Sequence, residues 1–90
     1  MDLSGWRERI DGIDRQMIDL LNERMQCAHE IGQIKKAAGK PIRDPERERD
    51  VIAKIKTYNQ GLQGPVKDEA LEKLYWLLIE LTTHFELEED

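Results

Sequence analysis

Trp6, Ile10, Ile13, Met17, Leu20, Leu21, Ala28 and Ile31 fall on one face of a single continuous helix, because their spacing follows a turn of 3.6 residues. This stripe predicts a helix from about Ser4, a suitable N-cap, to about Ala38, with Gly39 placed for the C′ position. Such a helix would be about 50 Å long, far more than a compact globule of this size spans. A long helix with an unbroken apolar face needs a partner along its whole length. The chain is thereby constrained to an elongated all-helical arrangement.

The rest of the 90-residue sequence supplies two further helices. Gly39-Lys40-Pro41-Ile42-Arg43 is a short connection stiffened by proline. Asp44 is placed to cap a second helix, with Pro45 at its first position and Glu46 and Glu48 near the positive end of the dipole. Val51, Ile52, Ile55 and Tyr58 make the predicted buried face of that helix. Asn59 to Pro65 reads as loop by composition. A third helix from about Val66 to Glu86 is expected to bury Leu71, Leu74, Leu77, Leu78, Leu81 and Phe85. With 37% charged and only 6% aromatic residues, the composition suits amphipathic helices and argues against a β-sandwich. Disorder is opposed by the periodicity of the apolar positions. The expectation is one all-α domain over residues 1–90.

Several polar groups intrude on these apolar faces. Arg24 projects from the middle of the first stripe, and Lys35, eleven residues on, returns to the same face. Glu48 falls between Ile52 and Ile55, Arg47 lies at the margin beside Val51, Thr82 falls between Leu71 and Tyr75, and Glu86 sits one turn beyond it. A cation on a core-facing stripe is costly unless an anion meets it. One solution is an internal network of Arg24 and Arg47 with Glu48 and Glu86. With Lys35 added the cations outnumber these acids, and a ligand carrying two negative charges balances them better. Arg7 also borders the stripe, but at 17 residues it is about 25 Å from Arg24 along one straight helix. An antiparallel partner helix would bring a second copy of Arg7 beside Arg24 and Lys35; the alternative is a solvated arginine in a terminal turn.

Other function classes receive little support. The net charge is −5 and no cationic stripe with interleaved aromatics is present, so nucleic acid is not an expected partner. Cys27 is the sole cysteine, which excludes an internal disulfide or a thiolate metal cluster. His29 and His84 lack metal-ligand spacing. No signal or transit peptide and no membrane-spanning run is apparent, so the expected location is the cytoplasm. Gly32, inside a predicted helix, suits close approach to a substrate or a neighbouring helix, and Trp76 lies off the main stripe of the third helix.

The segments Trp6-Arg7-Glu8-Arg9-Ile10 with Ile13-Asp14, Leu20-Leu21-Asn22-Glu23-Arg24, Ile31-Gly32-Gln33-Ile34-Lys35 and Lys40-Pro41-Ile42-Arg43-Asp44-Pro45-Glu46-Arg47-Glu48-Arg49 together resemble the all-helical (type II) class of chorismate mutase. The resemblance covers nearly the whole chain. It implies an intertwined, domain-swapped homodimer with two sites, each completed by an arginine of the other subunit. It also implies the rearrangement of chorismate to prephenate, on the route to phenylalanine and tyrosine, without metal or other cofactor. By position, Arg7 of the partner subunit, Arg24 and Arg47 match the family's carboxylate-binding arginines. Lys35 matches the donor to the ether oxygen, Glu48 the acceptor from the ring hydroxyl with the backbone of Asp44 nearby, and Thr82 a hydroxyl that helps hold a carboxylate. The catalytic assignments fall to Lys35, Glu86 and Arg24.

Glu86 departs from the glutamine of many relatives. To donate to the ether oxygen it must be protonated; the helix C-terminus, the acidic run Glu88-Glu89-Asp90 and partial burial favour that form, while the site's cations oppose it. An isochorismate pyruvate lyase, a 4-amino-4-deoxychorismate mutase and a non-catalytic regulatory dimer are the alternatives. Retention of the Arg-Asp-x-x-Arg-Glu run at Arg43–Glu48 favours the mutase. A partner enzyme of the same pathway fits so small a chain.

Overall fold

The computed structural model describes residues 1–87, in which three helices follow one another: α1 (Leu3–Ala37), α2 (Pro45–Leu62) and α3 (Asp68–Leu87). The acidic run Glu88-Glu89-Asp90 invoked above lies outside the described residues. α1 starts slightly earlier than expected, because Asp2 rather than Ser4 is the N-cap: its Oδ1 accepts from the Gly5 amide at 2.8 Å. Both residues are good caps, and the one whose side chain reaches a free amide of the first turn sets the start. At the other end Gly39 adopts φ 66°. The Lys40 amide donates to the Lys35 carbonyl and the Gly39 amide to the Lys36 carbonyl, at 2.8 and 3.2 Å. This paired closure ends the helix and turns the chain back towards Lys35.

Asp44 caps α2 as expected, its Oδ1 accepting from the Arg47 amide at 3.0 Å, with Pro45 at the helix start. The helix then runs through Asn59, Gln60 and Gly61, which composition assigns to a loop. The reason lies in the side chains. Asn59 donates to the Val66 carbonyl (2.9 Å) and to Asp68 Oδ1 (3.1 Å), and Gln60 donates to Asp68 Oδ2 (2.8 Å). The last turn of α2 is thus tied to the first turn of α3. Gln63, at φ 52°, makes the left-handed turn between them.

α3 packs against both α1 and α2, and Ala28, Ile52 and Ile79 are the buried hydrophobic residues. Ala28 and Gly32 are the buried positions of α1, where small side chains let α3 come close. Tyr58, Leu74, Leu77 and Leu81, expected inside, are instead exposed in the single chain, as are Trp6, Ile10, Ile13, Met17, Leu20 and Ile31. The cause is geometric: α3 covers only part of α1. The chain extends 54 × 29 × 16 Å with a radius of gyration of 16.2 Å, where a compact domain of this length has about 12 Å. No helix among the described residues is long and apolar enough to cross a membrane.

Candidate active site

Where α1, the start of α2 and the end of α3 converge, they enclose a cavity of about 290 Å³, near the lower end of the size range for small-molecule sites. Its wall includes Arg24 and Lys35 of α1, Asp44 at the α2 cap, Arg47 and Glu48 of α2, and Thr82 and Glu86 of α3. Seven of the eight expected site residues therefore meet in one place. Arg7 does not. It lies on the same straight helix as Arg24, about 25 Å away at 1.5 Å per residue.

Lys35 joins the three chain segments. Its Nζ donates to the Ile42 carbonyl at 2.7 Å and to Glu86 Oε2 at 3.0 Å. The Lys35 and Glu86 side chains are 21% and 8% exposed, so their attraction is screened less than that of a surface pair. The amide closure after α1 is what carries the Ile42 carbonyl back over Lys35. Gly32, one turn earlier, faces the backbone of Glu86 directly, which settles its contact as a neighbouring helix.

Arg24 is the half-buried cation of the opposite wall. Its Nη1 donates to Thr82 Oγ1 at 2.5 Å, and that hydroxyl donates onward to the Leu78 carbonyl at 2.7 Å. The guanidinium carbon stands 5.9 Å from the centre of the Tyr75 ring, within cation–π range. No carboxylate among the described residues forms an ion pair with Arg24. With a hydroxyl and a ring as its partners among the described residues, the guanidinium retains donors for an anion.

The internal network of Arg24 and Arg47 with Glu48 and Glu86 is not what forms. Glu86 pairs with Lys35, Glu48 with Arg43, and Arg47 with Asp50 at 3.3 Å. Arg47 is 60% exposed and turned along α2 towards Asp50, so it borders the cavity without reaching across it. Because Asp44 also lines the wall, three cations face three acids by formal count. The excess of positive charge expected from the sequence is local, at Arg24. Arg43 has no site role in the sequence reading. It lies in a loop, where helical periodicity carries no information, yet its Nε and Nη2 grip the two oxygens of Glu48 at 2.8 and 2.7 Å. Tyr75 under Arg24 and the Ile42 carbonyl at Lys35 were missed likewise, since both act through tertiary contact alone.

This fold defines an all-helical protein built on one long helix, with charged side chains lining the cavity where its three helices converge. The family model for chorismate mutase type II matches residues 6–87, and the chain belongs to that family. It is 34% identical over 74 residues to a chorismate mutase of Methanocaldococcus jannaschii, covering 82% of this chain and 73% of that one. It is 44% identical over 75 residues to a bifunctional chorismate mutase/prephenate dehydratase of Aquifex aeolicus, covering 82% of this chain and 21% of the relative. The chain thus spans about a fifth of the length of the bifunctional relatives it matches. A solved chorismate mutase from Thermus thermophilus superposes with a TM-score of 0.91 at 30% identity, covering 98% of this chain and 97% of that structure.

Proposed function

We propose that the chain is a chorismate mutase acting as an intertwined homodimer with two shared sites. The observation that carries this reading is the convergence of Arg24, Lys35, Glu48, Thr82 and Glu86 from three helices on one cavity, with Arg24 lacking a carboxylate partner among the described residues. The reaction breaks a C–O bond and forms a C–C bond within one molecule. The protein must hold the enolpyruvyl arm over the ring and stabilise the charge that develops on the ether oxygen.

In this reading Arg24 and Thr82 hold one substrate carboxylate, and Arg47 swings from Asp50 to meet the other with Arg7 of the partner subunit. Lys35 donates to the ether oxygen from one side, and Glu86 stands beside it on the other. Glu48, with the Asp44 backbone nearby, accepts from the ring hydroxyl. The exposed apolar face of α1 supports the dimer, because a stripe from Trp6 to Ile31 is too extensive to leave in water. Relatives whose names join mutase and prephenate dehydratase make a product-consuming enzyme the fitting partner. The fitting compartment is the cytoplasm, where the free Cys27 stays reduced.

The test is incubation with chorismate, isochorismate and 4-amino-4-deoxychorismate, with products followed spectroscopically. Prephenate from chorismate at the highest kcat/KM of the three supports the proposal. Release of pyruvate from isochorismate in preference would make the chain a lyase, and no turnover of any of them would leave a binding dimer.

A further inference from the structure

We infer that Arg43 is a positioning residue that sets selectivity at the substrate's ring position facing Glu48, favouring a neutral hydroxyl over a cationic amine. This rests on the mutase reading of the same cavity. The Glu48 side chain is 12% exposed and lines the cavity, whereas Arg43 is 59% exposed and stands behind it. The two N–H bonds, at 2.8 and 2.7 Å, run from one guanidinium edge to both carboxylate oxygens. Such a fork fixes the plane of the carboxylate. Each oxygen keeps a further lone pair, so Glu48 remains an acceptor.

The consequence is electrostatic. A lone carboxylate in a sheltered cavity would attract an ammonium group far more strongly than a hydroxyl. With Arg43 bound, the pair has no net charge, and an ammonium entering from the cavity meets the guanidinium's field just behind Glu48. A hydroxyl donor loses little by this, since its bond to the carboxylate oxygen needs direction more than charge. Discrimination therefore comes from a repulsive element built behind the acceptor. Arg43 touches no substrate atom in this arrangement and acts through Glu48.

The experiment measures kcat/KM for chorismate and for its analogue with an amino group in place of the ring hydroxyl, in wild type, Arg43→Met, Arg43→Gln and Arg43→Lys. The expected result is that the amino-to-hydroxyl ratio rises about tenfold in Arg43→Met and Arg43→Gln, and stays within about threefold of wild type in Arg43→Lys, which keeps the charge. A general loss of fold or activity would move both substrates together and leave the ratio alone. An unchanged ratio in Arg43→Gln, in a protein whose wild type converts chorismate, overturns the role of Arg43 and leaves the mutase reading standing. A wild type inactive on both compounds overturns the mutase reading and this inference with it.

Discussion

A methyl group added at Gly32 would sit 2.9 Å from the Glu86 carbonyl oxygen and 3.1 Å from its Cα. α1 and the last turn of α3 therefore touch backbone to backbone, one helical turn before Lys35. The atoms in the way are main chain, which cannot swing aside as a side chain would. This contact sets how far the Glu86 carboxylate lies from the Lys35 ammonium.

Gly32→Ala is a test of that spacing. Helix propensity alone favours alanine by about 1 kcal/mol. Overpacking against rigid backbone costs about 1–3 kcal/mol, so the net expectation is a loss of stability, measured by urea unfolding. Displacement of Glu86 by even half an ångström should lower kcat/KM at least about tenfold, since misplacement by 1 Å costs about 10²-fold. A more stable and fully active Gly32→Ala protein would mean that the α3 end adjusts freely.

Lys35→Met separates binding from chemistry. Removing a donor aimed at the developing oxyanion is expected to lower kcat by about 10²–10³-fold with a smaller effect on KM. It also strips the ion-pair partner from Glu86, which is 8% exposed, and a donor from the Ile42 carbonyl. Destabilisation of about 1–3 kcal/mol should accompany the kinetic loss, and Lys35→Met/Glu86→Gln should recover part of that stability while remaining slow.

Glu86→Gln and Glu86→Ala together test whether the Glu86 side chain takes part in the chemistry. In the free protein Glu86 faces Lys35 as an ion pair; an anionic oxygen beside the ether oxygen would oppose the charge forming there, whereas an amide donates to it. kcat should hold or rise in Glu86→Gln and fall by about 10²-fold in Glu86→Ala, which offers the ether oxygen no donor. Equal kcat in the two variants would remove Glu86 from the chemistry and leave it a structural partner of Lys35.

The sequence made α1, the cap of α2 and the site's charged side chains legible for one reason: each breaks or obeys a helical period. Arg24, Lys35, Glu48, Thr82 and Glu86 stand out because polar groups interrupt apolar stripes, and all five line one cavity. What stayed hidden lies off the period. Arg43 acts from a loop, and the end of α2 depends on Asn59 and Gln60 reaching Asp68 across a turn. Burial of Leu74, Leu77 and Leu81 was expected from α3 alone, but a single copy of the chain has too little surface to cover that face.

Asp68 makes the α2–α3 junction sensitive to acid. Hydrogen bonds from Gln60, and then from Asn59, hold its carboxyl below the ordinary aspartate range. Glu72, one turn on, is lowered chiefly by its hydrogen bond from Lys56. A depressed carboxyl contributes stability above the unfolded-state value, about 3.9 for Asp, and that contribution is lost as pH falls through the lower folded value. Thermal midpoints of the wild type should therefore drop towards pH 3, and Asp68→Asn, which has no carboxylate to protonate, should show a shallower decline.

Arg7 and Arg24 of one chain are too far apart to share a small ligand, so the dimer proposal makes a quantitative demand. Arg7→Ala and Arg24→Ala should each be nearly inactive alone. In a hybrid dimer, one site takes intact Arg24 from the Arg7→Ala chain and intact Arg7 from the Arg24→Ala chain, while the other site lacks both. Random re-association after unfolding an equimolar mixture makes half of the dimers hybrid, each with one working site of two. Activity should then return to about a quarter of the wild-type value. A mixture no more active than its parents, although hybrids form by mass spectrometry of tagged chains, would show that each chain builds its site without the other's Arg7.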